Sequence, residues 1–207
     1  MKLSFRYSRL VLWTVLAIAA FAFTSFAQGD KIDTGPLRDF GKSVQARIDK
    51  KELDVTRPFS VEMNAVITPD GKLDRNASKF TAESGDPKMV GVAKEAIFAA
   101  GDSGYFSYVR QLGLDHARIN LSQTNDTFQA NVFGEQNAIK ARMTAAGVDM
   151  ILSIAAGNER NGANERLIIQ NTHASAGGGG VNITCTLPAA DFQRMILNNS
   201  TAAAPVN

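Results

Sequence analysis

From Phe59 onward the chain changes period. Phe59, Val61, Met63, Ala65 and Ile67 alternate with Ser60, Glu62 and Asn64. Successive side chains of a strand point to opposite faces, so this stretch predicts a strand with one dry and one wet face. The same pattern returns at Ala117, Ile119 and Leu121, set against Arg118, Asn120 and Ser122. It returns again at Phe128, Ala130 and Val132, set against Thr127, Gln129 and Asn131, after a turn at Thr124-Asn125-Asp126. Thr172 to Ala176 and Val181 to Leu187, on either side of Gly177 to Gly180, predict a further hairpin. Hairpins with one wet face need a cover on one side only, so the fold class is α+β, antiparallel hairpin sheets with packed helices.

The helices fill the gaps. Thr34 with Pro36 starts one that carries Leu37, Phe40, Val44 and Ile48 on a single face. Thr68-Pro69-Asp70-Gly71 is a turn, and a second, more polar strand is expected over about Lys72 to Ala82. Asp86 caps a helix with Pro87 in its first turn and Met89, Ala93, Ala96, Ile97 and Ala100 inward. Asp102 or Ser103 is expected to cap a short helix carrying Tyr105, Tyr108, Val109 and Leu112. A helix over about Glu135 to Ala156 is expected to bury Ile139, Met143, Met150, Ile151 and Ile154. A short helix over Glu165 to Asn171 and a last one after Pro188, with Phe192, Met195 and Ile196 inward, complete the set. The elements divide into two related small units, 34–114 and 115–198, packed as one body or as two, behind a polar lead-in at 28–33. Residues 199–207 have little with which to build a core and are expected to be disordered.

Residues 1–27 are an export signal. A basic stretch, MKLSFRYSR, precedes the uncharged apolar run Leu10 to Phe23, and small residues stand at Ser25 and Ala27. Cleavage is expected between Ala27 and Gln28. The alternative is an uncleaved membrane anchor over residues 10–27, with the body outside the cytoplasm in either case. Charge follows the same division. The whole chain has 22 Lys and Arg against 20 Asp and Glu, but Lys2, Arg6 and Arg9 all precede the first acid, Asp30. The body from Gln28 therefore holds 19 bases against 20 acids. Near-neutrality argues against nucleic acid as a partner, and membrane contact is expected only through residues 10–27.

The first unit also carries a resemblance. The strand Phe59 to Ile67, the Pro69-Asp70-Gly71 turn, Ser84-Gly85-Asp86-Pro87 and a helix with Ala93, Ala96 and Ile97 follow in order. Together they resemble the C-terminal domain of the TonB energy-transducer family over about residues 35–101. The resemblance implies an α+β periplasmic module that binds an envelope or outer-membrane protein, often by adding a strand to a sheet edge. The candidate edge is the strand Phe59 to Ile67 or its neighbour, with Ser60, Glu62 and Asn64 as the interaction residues. After Ala100 the chain continues as Gly101-Asp102-Ser103-Gly104 where that family has an aromatic-proline segment. The fold of the unit is therefore carried over, and the coupling to a proton-driven motor is not. The second unit resembles no family.

Residues that carry chemistry are few. Gly101-Asp102-Ser103-Gly104 matches the segment around the nucleophile of trypsin-like proteases, but both histidines, His116 and His173, follow Ser103, and Asp191 lacks a histidine after it. A helix cap is the preferred reading of Ser103, with a serine hydrolase using Ser103 and His116 as the alternative. Gly177 to Gly180 has no Lys-Ser or Lys-Thr after it and reads as a turn, not a phosphate cradle. Asp115 with His116 lacks a third metal ligand at local spacing, and His173 reads as a polar side chain on a wet face. The single Cys185 shares parity with Val181, Ile183 and Leu187, which predicts a buried thiol. Asn76, Asn120, Asn125, Asn182, Asn198 and Asn199 begin glycosylation sequons, read as an Asn-rich surface of a bacterial protein. No catalytic, cofactor or metal residue is expected. The expectation is an exported, non-catalytic binding module of the bacterial envelope, periplasmic or secreted, with a membrane-anchored TonB-like transducer as a further alternative.

Overall fold

The computed structural model describes residues 32–158 and 161–201. The expected export signal, its expected cleavage site between Ala27 and Gln28, and residues 202–207 lie outside the described residues. Within them the chain runs α1 (Gly35–Asp49), β1 (Phe59–Val66), β2 (Lys79–Gly85), α2 (Pro87–Asp102), α3 (Ser107–Gln111), β3 (His116–Gln123) and β4 (Thr127–Glu135). It continues through α4 (Ala138–Ala156), α5 (Ala163–Gln170), β5 (Thr172–Gly177), β6 (Gly180–Pro188) and α6 (Ala189–Thr201). Three hairpins lie side by side in one six-stranded sheet of order β2-β1-β3-β4-β6-β5, every neighbour antiparallel. This is the expected α+β class.

The expected boundary near Gly113 to Asp115 does not divide the sheet. β1 pairs with β3 from Phe59↔Gln123 to Val66↔His116, so the two halves are joined by a full ladder. The alternation of β1 holds: Phe59, Val61, Met63, Ala65 and Ile67 are all buried. They meet Ile119, Leu121, Phe128, Val181, Ile183 and Leu187 of the other strands in one core, which the helices cover from the same side. Apolar area removed from water on this face is the main stabilising term of the fold. Cys185 is in that core, as expected.

Local chemistry sets the helix ends. Asp86 Oδ1 accepts from the backbone N–H of Lys88 and of Met89, each at 3.0 Å, with Pro87 opening α2. Asn137 accepts from Lys140 N at 2.9 Å to start α4. Glu165 reaches back to the N–H of Gly162 at 2.7 Å to start α5. The last helix continues through Thr201, into the stretch expected to be disordered.

Three expectations need correction. The second strand begins at Lys79, not Lys72, because residues 68–77 are consumed by local turns. Thr68 Oγ1 accepts from Lys72 N, and Asp74 accepts from the backbone N–H of Asn76 and Ala77. Ser103 ends α2 and does not cap the next helix: its hydroxyl donates to Ala99 O at 2.8 Å, while Asp102 pairs with Arg75. α3 starts at Ser107 with no side-chain cap. The third correction is the largest. α4 turns Ala141, Ala145, Val148 and Leu152 to the core, and Ile139, Met143, Met150 and Ile154 are 74%, 71%, 62% and 52% exposed. Ile151 is half-buried at the side of the helix.

Candidate functional site

β1 is not an edge. It is paired with β2 on one side and β3 on the other, so Ser60, Glu62 and Asn64 cannot receive an added strand. They lie on the wet face of the sheet. There Glu62, Asn120, Asn131, Thr184 and His173 form one row across β1, β3, β4, β6 and β5. The row is held partly by its own side chains. Thr81 Oγ1 donates to Glu62 Oε1 at 2.9 Å, Asn131 Nδ2 to Thr184 Oγ1 at 2.9 Å, and Asn182 Nδ2 to the same hydroxyl at 3.1 Å. An adjoining row runs Asn64, Arg118, Phe133, Asn182 and Ser175.

The edge falls to the neighbour, β2. Its seven residues are exposed apart from the half-buried Phe80. Among the described residues, no backbone hydrogen bond reaches its outer side from another element. An open groove of about 550 Å³ lies where β2 meets α2, bounded by Glu83, Ser84, Gly85, Gly91, Lys94 and Phe98. Lys94 Nζ pairs with Glu83 Oε1 at 2.7 Å and stands 4.6 Å from the centre of the Phe80 ring, which meets Phe98 edge to face. Gly91 leaves the helix side of the groove open, since nothing lies within 4 Å of where its Cβ would be. Backbone donors and acceptors on one wall and small, aromatic and charged side chains on the other are what an extended peptide needs.

The other edge of the sheet is closed. α4 packs along β5, and Asp149 Oδ1 accepts from the N–H of Ala174 at 2.9 Å. Covering an edge with a helix and a charged side chain is a common defence against unwanted strand pairing. The two edges of this sheet therefore differ in kind.

The expected chemistry residues are not brought together. Ser103 is buried with its hydroxyl given to its own helix, whereas His116 is exposed and lies with Nδ1 2.9 Å from Asp115 Oδ1. That hydrogen bond holds the Asp115 carboxyl below its ordinary range. No hydrogen bond joins Ser103 to His116 among the described residues. His173 is exposed on the wet face of β5. Burial pushes the Cys185 thiol up to about 11, with a weaker opposing contribution from the Thr172 hydroxyl. A cavity of about 80 Å³ between α1, α2, α6 and the sheet is lined only by apolar side chains, Leu37, Phe40, Met89 and Phe192 among them. It is well below the volume of an ordinary ligand pocket and holds no group that could orient one.

Sequence reasoning missed Gly91, Lys94 and Phe98 as groove residues. The available signal was in Lys79 to Gly85, which is polar on both parities apart from Phe80 and Ala82 and so suits an outer strand. The chain matches no protein-family model, no curated protein and no solved structure.

Proposed function

We propose that this is an exported, non-catalytic interaction module of the bacterial envelope that takes up an extended segment of a partner protein along β2. The observation that carries the reading is the asymmetry of the sheet. β2 has an unpaired outer side next to an open groove, while Asp149 and α4 close β5. The TonB-like order of motifs over about residues 35–101 supports the same mode, because in that family strand addition is a frequent means of capture. Backbone hydrogen bonds supply affinity in such a complex, and side chains entering the groove supply selectivity.

The test is Gly91→Leu, which places a large side chain in the groove from α2 and leaves every β2 residue unchanged. Leu also has the better helix propensity, so the fold should be retained. With envelope extract offered to both chains, a partner held by the native chain should be lost from the variant, and its binding should slow amide exchange in Lys79 to Gly85. Equal capture by both chains, or capture that leaves β2 exchange unchanged, would sink the reading. N-terminal sequencing of the accumulated product tests export: a chain beginning at Gln28 supports a cleaved signal, and an intact N-terminus supports the anchored alternative.

A further inference from the structure

The outward stripe of α4 reads the same in both directions. Ile139, Met143, Ala146, Gly147, Met150 and Ile154 follow as Ile, Met, Ala-Gly, Met, Ile about a centre between Ala146 and Gly147. The stripe lies opposite Ala141, Ala145, Val148 and Leu152, so it projects straight away from the sheet. Its four large side chains are each more than half exposed. A helix that is apolar on two opposite faces is made to be covered twice.

We propose that the second cover is the α4 helix of another copy of this chain, packed antiparallel about a two-fold axis at Ala146 and Gly147. The residue order argues for that occupant. In an isologous contact residue i of one copy meets residue j of the other and j meets i, so a stripe that reads the same both ways sets side chains of the same kind together at every level. Ile139 then comes level with Ile154 of the other copy, and Met143 with Met150. The small residues fall at the crossing point, where the backbones approach most closely.

Charge agrees with the same register. Arg142 and Asp149 are seven residues apart, which places both on one flank of the helix. Antiparallel packing sets that flank beside its own copy. Arg142 of one chain then lies about 3 Å along the axis from Asp149 of the other, and the pair occurs twice. Both residues are exposed, and Arg142 has no ion-pair partner among the described residues. Asp149 Oδ1 accepts from the N–H of Ala174, which leaves Oδ2 for the second copy. A parallel pair would instead set Ile139 against Ile139 and bring no opposite charges together. The contact is independent of the groove at β2 and leaves it open.

Cross-linking in the exporting cell tests the arrangement on the full chain. Two variants, Ile139→Cys and Ile154→Cys, are co-expressed with Cys185 replaced by Ala and treated with a short thiol-specific cross-linker. The expected product is the mixed dimer. Two Ile139→Cys copies stand about 22 Å apart along the axis in the proposed pair and should not join. Adding Met143→Glu and Met150→Glu should abolish the product while circular dichroism and the melting temperature of the purified chain stay near native, since both side chains are exposed. Arg142→Glu should weaken the product without removing it. A dominant Ile139→Cys homodimer would overturn the antiparallel pair, as would absence of any cross-link. Cross-linking of Ile139→Cys to a cysteine placed within residues 10–27 would show that the chain's own N-terminal segment is the cover, and would overturn it equally.

Discussion

The carboxylate of Asp149, on α4, and the backbone amide of Ala174, on β5, are joined by a 2.9 Å hydrogen bond. Ala174 is buried, so its N–H has no ready substitute in water. Asp149→Ala should therefore destabilise the fold by about 1–3 kcal/mol, the cost of an unsatisfied buried donor. Asp149→Asn keeps an acceptor and should stay closer to native. Urea unfolding of the three chains checks the order. The Ala variant should also form strand-paired aggregates on storage, read by thioflavin fluorescence, because β5 loses its guard.

Two glycines with left-handed backbone should respond very differently to alanine. Gly71 has φ +76°, and an added Cβ would overlap the backbone and Cβ of Ser107, the first residue of α3. Gly104 has φ +78° with only Asp70 O near, at 3.9 Å. Gly104→Ala should cost about 1 kcal/mol from conformation alone, and Gly71→Ala about 3 kcal/mol or more from conformation plus overlap. Thermal unfolding separates them. Equal losses would mean that the Thr68–Gly71 turn does not pack on α3 as described.

Gln123 is 2% exposed and ties the loop after α1 to the end of β3, with Nε2 donating to Val55 O at 2.9 Å and to Arg57 O at 3.3 Å. Gln123→Glu replaces that donor with a carboxylate facing two carbonyls. The variant should lose about 3 kcal/mol at neutral pH. Burial raises the new carboxyl above its unfolded value of about 4.3, so the protonated form is the one the fold tolerates. The deficit should be small in acid and grow as pH rises through that range, as melting at a series of pH values would show.

Alkali should weaken the native fold through Cys185 and Tyr105. Burial raises the thiol from 9.0 to about 11 and the phenol from 10.0 to about 12, the phenol also feeling Tyr108. Below pH 9 both groups are protonated in either state. Above it the unfolded chain releases its protons first, so stability declines between pH 9 and pH 11 for the thiol, by about 3 kcal/mol in all. Cys185→Ala should remove the thiol's share of the decline. At neutral pH the thiol should react with maleimide only as fast as the chain unfolds.

The strands and their facing were legible in the sequence because period-two alternation is strong where one face is dry. Phe59 to Ile67 and both later hairpins fall where the pattern puts them. The cap at Asp86 was legible because its chemistry is local. What the pattern could not rank was pairing. β1 looks like an edge when only its own hairpin is counted, and joins β3 because two helices return the chain beside it. The facing of α4 failed for a different reason. That helix is apolar on two sides, and the larger side chains suggested the wrong one as core. Over strands β5 and β6, Ala141, Ala145, Val148 and Leu152 allow close approach that Met and Ile would hold off. The groove followed from neither signal, since it exists only once α2 lies over β2.

The full ladder between β1 and β3 has a consequence for the order in which the chain is made. As the chain is synthesised the first hairpin emerges with both its margins bare, and β1 stays half-paired until β3 has followed α2 and α3. The first half is then a waiting template rather than a finished piece. Its inner margin invites any passing strand during that interval, so a chaperone has most to do early, and a chain cut after α3 should be degraded rather than accumulate.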